Sequence, residues 1–178
     1  MNKLYKDLLF TIIHKKVDKL YQQPINQLNI KTIRGNTQNS ERNSIILVKK
    51  VLDELSIKYK EASSQQSKDF RIEILKDEYL NIEIKKTDSK NVFFNDTMPN
   101  DDIYYIILFT GNRTIKPKCI GINGYDLIKN DLWILEYEKE LKKIKDKYCG
   151  LKSLVKKHNM KVYPRPTYQS DIGYLLIN

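Results

Sequence analysis

The stretch Asp69–Lys86, DFRIEILKDEYLNIEIKK, decides the fold. Successive side chains of a strand point to opposite faces. Phe70, Ile72 and Ile74 therefore share one face of a first strand, and Leu80, Ile82 and Ile84 share one face of a second. With both triplets on the core, the register parity is fixed, because a one-residue slip would expose one of them. The opposite face then gathers Asp69, Arg71 and Glu73 beside Asn81, Glu83 and Lys85. A three-residue connection, Lys76-Asp77-Glu78, would set Asp69 opposite Lys85 and Arg71 opposite Glu83.

Upstream, residues 3–22 predict a helix on the spacing of Leu4, Leu8, Ile12 and Leu20, with Pro24 as a stop. The polar run INQLNIKTIRGNTQNSERN reads as a long loop. A second helix is expected from Ser40 to Ser56, capped by Asn39 or Ser40, with Ile45, Val48, Leu52 and Leu55 as its apolar stripe. A short strand, IKYKE, and a polar turn, ASSQQSK, lead into the hairpin.

Downstream, TDSKNVFFNDTMPNDD reads as a loop, and IYYIILF as a strand covered on both faces. KCIGIN predicts another strand, and Gly121-Ile122-Asn123-Gly124 a turn into a charged helix from Tyr125 to Tyr148. That helix takes its apolar side from Leu127, Ile128, Leu132, Leu135, Leu141 and Ile144, and Trp133 is assigned to core or interface. An irregular, aromatic tail follows, with room for a short final strand. This order predicts an α/β class, a mixed β-sheet flanked by α-helices, in one domain over 1–178 with its core at 35–150 and a tail at 151–178.

The chain has 178 residues, 40% of them hydrophobic, enough for a real core. No run of about 18 uncharged apolar residues marks a membrane helix. The start, MNKLYKDLLFTIIHKK, is broken by Lys6 and Asp7, so no signal peptide is expected. Cys119 and Cys149 lie far apart without metal-type spacing, and a reduced, cytoplasmic protein is the default. The net charge of +10 favours a polyanionic partner. The abundance of Lys, Asn and Ile over Arg is also what AT-rich coding would give.

Two carboxylates and an ammonium on one strand face suit phosphodiester hydrolysis. Mg²⁺ takes hard oxygen ligands, commonly one or two carboxylates with several waters. Asp69, Glu83 and the carbonyl of Ile84 would supply them, with Lys85 beside the attacking water. The plain alternative is a solvated sheet face whose opposite charges stabilise each other slightly.

Asp69 followed by Glu83-Ile84-Lys85 resembles the signature of the PD-(D/E)xK nuclease superfamily, with Lys68 where proline often stands. SSQQSKDF, IEIKKTDSKNVFFNDTMP and the helix carrying Glu41 are similar to stretches of type II restriction endonucleases, over residues 35–125. The resemblance implies a restriction-endonuclease-like fold and Mg²⁺-dependent cutting of double-stranded DNA by direct attack of water. It also implies a homodimer, a cognate DNA methyltransferase protecting the host without a stable complex, and Glu41 as a further catalytic carboxylate. At Glu41 the alternative is a charge complementing the helix dipole.

DNA contacts are expected from Gln65, Gln66 and Lys86, and from Asn95 and Asp96, whose side chains suit adenine and cytosine edges. In the tail, Lys161, Tyr163, Arg165, Tyr168 and Gln169 mix cations, aromatics and amides suited to phosphates and bases. Each also reads as an ordinary turn or surface residue. Three rivals stay open: a structure-specific repair or junction nuclease, a basic DNA-binding protein without chemistry, and a protein-interaction domain.

Overall fold

The computed structural model describes residues 2–31, 37–61, 68–148 and 165–177. In chain order the elements are α1 (Asn2–Tyr21), α2 (Pro24–Ile30), α3 (Thr37–Glu54), β1 (Lys60–Glu61), β2 (Phe70–Leu75) and β3 (Glu78–Thr87). There follow β4 (Asn91–Asn95), β5 (Ile103–Phe109), β6 (Lys118–Asn123), α4 (Gly124–Ile128), α5 (Trp133–Tyr148), β7 (Thr167–Asp171) and α6 (Gly173–Ile177). The fold is mixed α/β. A five-stranded sheet runs β1-β2-β3-β5-β6, and β4 and β7 form a separate two-stranded ribbon.

The sheet is antiparallel except where β3 and β5 run parallel, Glu83 beside Tyr105 and Lys85 beside Ile107. β5 is buried at all seven positions, because both of its faces are covered. One face, with Phe70, Ile72, Leu80, Ile82, Tyr104, Ile106 and Leu108, packs against the three N-terminal helices. The other, with Ile103, Tyr105, Ile107, Phe109 and Ile120, packs against the ribbon, α4 and α6.

The hairpin keeps the expected parity but not the expected register. Phe70 pairs with Ile82 and Ile72 with Leu80, so Asp69 falls opposite Glu83, and Arg71 lies opposite Asn81 rather than Glu83. The cause is local: the ladder slips between Glu73 and Leu75, and the turn closes over two residues, with Asp77 in the left-handed region at φ 63°. A slip of two preserves which residues share a face.

Several elements differ from expectation. In α1 the core takes Phe10, Ile13, Val17 and Tyr21, whereas Leu4, Leu8 and Ile12 are exposed. The two stripes are both near helical spacing, and the aromatic one fills the space under the sheet. The Tyr21 hydroxyl fixes that choice by donating to the buried Phe109 carbonyl at 2.9 Å. Pro24 does not simply stop a helix; it opens α2 within the stretch read as loop, since proline fits a helix's first turn. Asn26 donates to the Leu20 carbonyl, and buried Ile30 anchors the turn.

α3 begins at Thr37, so Asn39 and Ser40 lie inside it and do not cap it. The stretch after the hairpin is not all loop: Val92 and Phe94 of β4 alternate inward and pair with β7. The late helix is two helices, with Asn123 capping α4 by accepting from Tyr125 N–H at 2.9 Å. Leu127, Ile128 and Leu141 are buried, but Leu132, Leu135, Ile144 and Trp133 are exposed, which removes Trp133 from the core. The tail ends in β7 and α6. No helix among the described residues is long and apolar enough to cross a membrane.

Candidate functional site

The site forms where the sheet is left incomplete. β2 begins at Phe70, opposite Ile82, yet β3 continues to Thr87. Among the described residues, the β2-side edge of β3 therefore has no strand neighbour beyond that point. Asp69, the residue before β2, closes onto this edge twice. Its N–H donates to the Ile82 carbonyl at 2.9 Å, and its Oδ2 accepts the Ile84 N–H at 2.7 Å. A carboxylate thus takes the place of a missing strand carbonyl.

Because the edge is open, side chains from both faces of β3 reach one cleft of about 340 Å³, lined by Glu41, Ser44, Ile45, Asp69, Glu83, Ile84, Lys85, Lys86, Phe93 and Asn95. Glu83 and Lys85 come from the ribbon side. Lys85 Nζ stands 2.6 Å from Glu83 Oε1 and 5.3 Å from the centre of the Phe94 ring. Glu83 Oε2 is buried without a hydrogen-bond partner. Lys86 comes from the helical side, where its Nζ donates to the buried Ser40 Oγ. Ser44, also buried, donates to the Ser40 carbonyl at 2.9 Å. Glu41 stands exposed on α3 in its second turn. Helix-dipole compensation falls off within the first turn, so that account of Glu41 is weak.

Burial raises the Asp69 carboxyl above its ordinary range, against the Ile84 N–H and Lys85, while the charge of Glu41 pushes it further up. Burial likewise raises Glu83 against Lys85, and Asp69 adds to the rise. Burial lowers Lys86, against Glu41 and Asp88.

Of the residues singled out in the sequence, Asp69, Glu83, Ile84, Lys85, Lys86, Glu41 and Asn95 meet in this cleft. Others are placed elsewhere. Asp96 and Arg165 are committed to each other, with Arg165 Nε donating to Oδ1 at 2.8 Å and an Nη to Oδ2 at 2.7 Å. Both were expected at DNA; in the fold their mutual pairing fastens one end of the ribbon. Tyr168, also expected at DNA, is buried beneath the ribbon with Tyr137 edge-on to its ring, because inward positions of β7 face the core. Gln169 is exposed on the outer face. Gln65, Gln66, Lys161 and Tyr163 lie outside the described residues.

Sequence reasoning missed Phe93, Ser40 and Ser44. The alternation Val92-Phe93-Phe94-Asn95 carried a signal for Phe93. Two serines one turn apart, continuing the stripe of Val48 and Val51, carried one for the helix. Among the described residues no three or more His, Cys, Asp or Glu side chains are grouped to hold a metal ion. Glu41, exposed on α3, does not complete a three-carboxylate set. A pair of carboxylates remains, which is the number Mg²⁺ commonly takes.

The chain matches no protein-family model, no curated protein and no solved structure.

Proposed function

We propose that the chain is a Mg²⁺-dependent endonuclease of the type II restriction kind, hydrolysing phosphodiester bonds of double-stranded DNA. The observation that carries this reading is the pair of buried carboxylates, Asp69 and Glu83, at the open end of β3, with Lys85 held against Glu83. A purely solvated face would leave neither acid desolvated nor Glu83 Oε2 buried without a partner.

The residues fit Mg²⁺. Asp69 and Glu83 would hold it with the Ile84 carbonyl. The N–H and C=O of one strand residue point to the same side. Since the Ile84 N–H meets Asp69, its carbonyl is directed to the same open edge. When bound, the ion supplies neutralisation of phosphate charge and a more acidic water. Lys85, fixed by Glu83 and the Phe94 ring, orients the attacking water and stabilises negative charge developing on the phosphate. Lys86, on the other wall, contributes attraction for the phosphate backbone. The restriction-endonuclease-like fold, the two-fold homodimer and the protecting methyltransferase belong to the same proposal. Sedimentation equilibrium measures the dimer directly.

The test is incubation of the purified protein with long unmethylated duplex DNA, with and without Mg²⁺, beside Lys85→Ala. Discrete fragments that need Mg²⁺ and vanish in the variant are expected. Cutting confined to branched DNA would move the reading to a junction nuclease. Cutting by Lys85→Ala at the wild-type rate would sink the assigned chemistry.

A further inference from the structure

The β4–β7 ribbon stands beside the cleft and has two different faces. Val92, Phe94 and Tyr168 point inward and are buried. The outward positions pair Asn91 with Asp171, Phe93 with Gln169, and Asn95 with Thr167. Phe93 is 52% exposed, and it and Asn95 also line the cleft, so the outer face and the carboxylate pair form one continuous surface.

The chemistry of this face differs from that of the chain. Lys and Arg make up 32 of 178 residues, yet none occupies the six outward ribbon positions. Surfaces that meet only phosphates use cations. Side-chain amides read base edges, and Asn or Gln bonds adenine at N6 and N7 through two hydrogen bonds. An exposed phenyl ring suits the thymine methyl. The dimensions agree as well. Five residues per strand make a ribbon roughly 17 Å long, and a two-stranded β-ribbon enters the major groove, about 12 Å wide. The ribbon is also stiff enough to read. Its inner face is packed on the sheet, Arg165 and Asp96 clamp one end, and Asp96 N–H donates to the Pro166 carbonyl at 2.8 Å.

Resting on the nuclease reading above, we infer that the outer face of the β4–β7 ribbon enters the major groove and sets the cleavage sequence, with Asn95 and Gln169 reading adenine and Phe93 contacting a neighbouring thymine methyl. The preferred sequence then contains A·T pairs close to the cut bond.

The experiment cleaves a randomised duplex library with the wild-type protein and Mg²⁺, and sequences the ends. It then repeats the cleavage on the preferred duplex with 7-deazaadenine at each A·T position, which removes the N7 acceptor. A fall of roughly 2- to 13-fold at one or more positions is expected, the range of the one hydrogen bond lost from a bidentate contact. Asn95→Asp and Gln169→Glu keep the side-chain size and lose the amide donor. Each should collapse the preference at its own position, at an unchanged melting temperature. Preference that survives both variants and 7-deazaadenine overturns the inference and leaves the nuclease reading standing. Cutting without sequence preference, or equal cutting of single strands, overturns it too. Absence of any Mg²⁺-dependent cutting overturns both.

Discussion

Lys85 is held between an anion and a ring, 2.6 Å from Glu83 and over Phe94, which leaves its ammonium little freedom. A charge fixed before the reaction costs no reorganisation during it, and loss of one such group commonly slows an enzyme by about 10²–10³-fold. Lys85→Ala should therefore cut DNA about that much more slowly in single-turnover assays while still binding Mg²⁺. Lys85→Arg should not rescue it, because a planar guanidinium does not replace a compact ammonium. Asp69 makes a separate prediction. Its raised pKa means that the fold without metal bears a destabilising buried charge. Asp69→Asn retains an acceptor for the Ile84 N–H and removes the charge. The metal-free variant should melt higher, by about 2–4 °C for each 1 kcal/mol gained in a domain of this size. Added Mg²⁺ should raise the melting temperature of the wild type and leave the variant unmoved. A variant that melts lower than the wild type without metal would show that the charge is not a burden.

At the scale of elements, the ribbon and the sheet are joined through Phe94, fully buried, edge-on to Tyr105 with ring centres 5.1 Å apart. Phe94→Ala should cost about 3–5 kcal/mol in urea denaturation, the usual range for a buried phenylalanine. It should also lower cleavage, since Lys85 loses the ring beneath it. The far end of the ribbon depends on Asp96, whose carboxyl Arg165 holds below its ordinary range. A depressed folded value makes this contribution present above the unfolded value and lost as the pH falls through the folded one. The Asp96 amide should accordingly lose protection against hydrogen exchange in acid, judged against the unprotected rate at the same pH, below the ordinary aspartate range, while β5 stays protected. Unchanged protection in acid in the wild type, or the same loss in Arg165→Ala, would remove that role.

What the sequence showed at this scale follows from how local each signal is. The period-two pattern of 70–84 and the unbroken run of β5 are local, and all three strands formed. The Asp69/Glu83/Lys85 face survived a register error because parity, not exact pairing, decides it. β4 was hidden because its partner β7 lies far along the chain, and five residues flanked by Asn and Asp look like loop until that partner is known. In α1 two apolar stripes competed, and only the sheet's shape chose between them. Ser40 meeting Lys86 depends on the helix crossing β3, which no spacing in either segment encodes.

For the whole molecule, the charge of +10 sets how it meets a polyanion. Affinity for duplex DNA should fall steeply with salt, by about 10³-fold between 50 and 200 mM if six phosphates are contacted. A plot of log affinity against log salt counts those contacts, and a flat line would remove DNA as the partner. The carboxylate pair within so basic a chain is a local inversion of sign, positioned where β2 begins only at Phe70 while β3 runs on to Thr87.

The pairing of β4 with β7 spans most of the second half of the chain: Asn95 and Thr167 are 72 positions apart. A nascent chain emerges N-terminus first, so Asp69, Glu83 and Lys85 leave the ribosome well before β7 exists. Throughout that interval Lys85 and Phe93 have no finished ribbon beside them. On the proposed nuclease reading, the wall of the cleft that carries Phe93 and Asn95 would be completed only once β7 has joined β4.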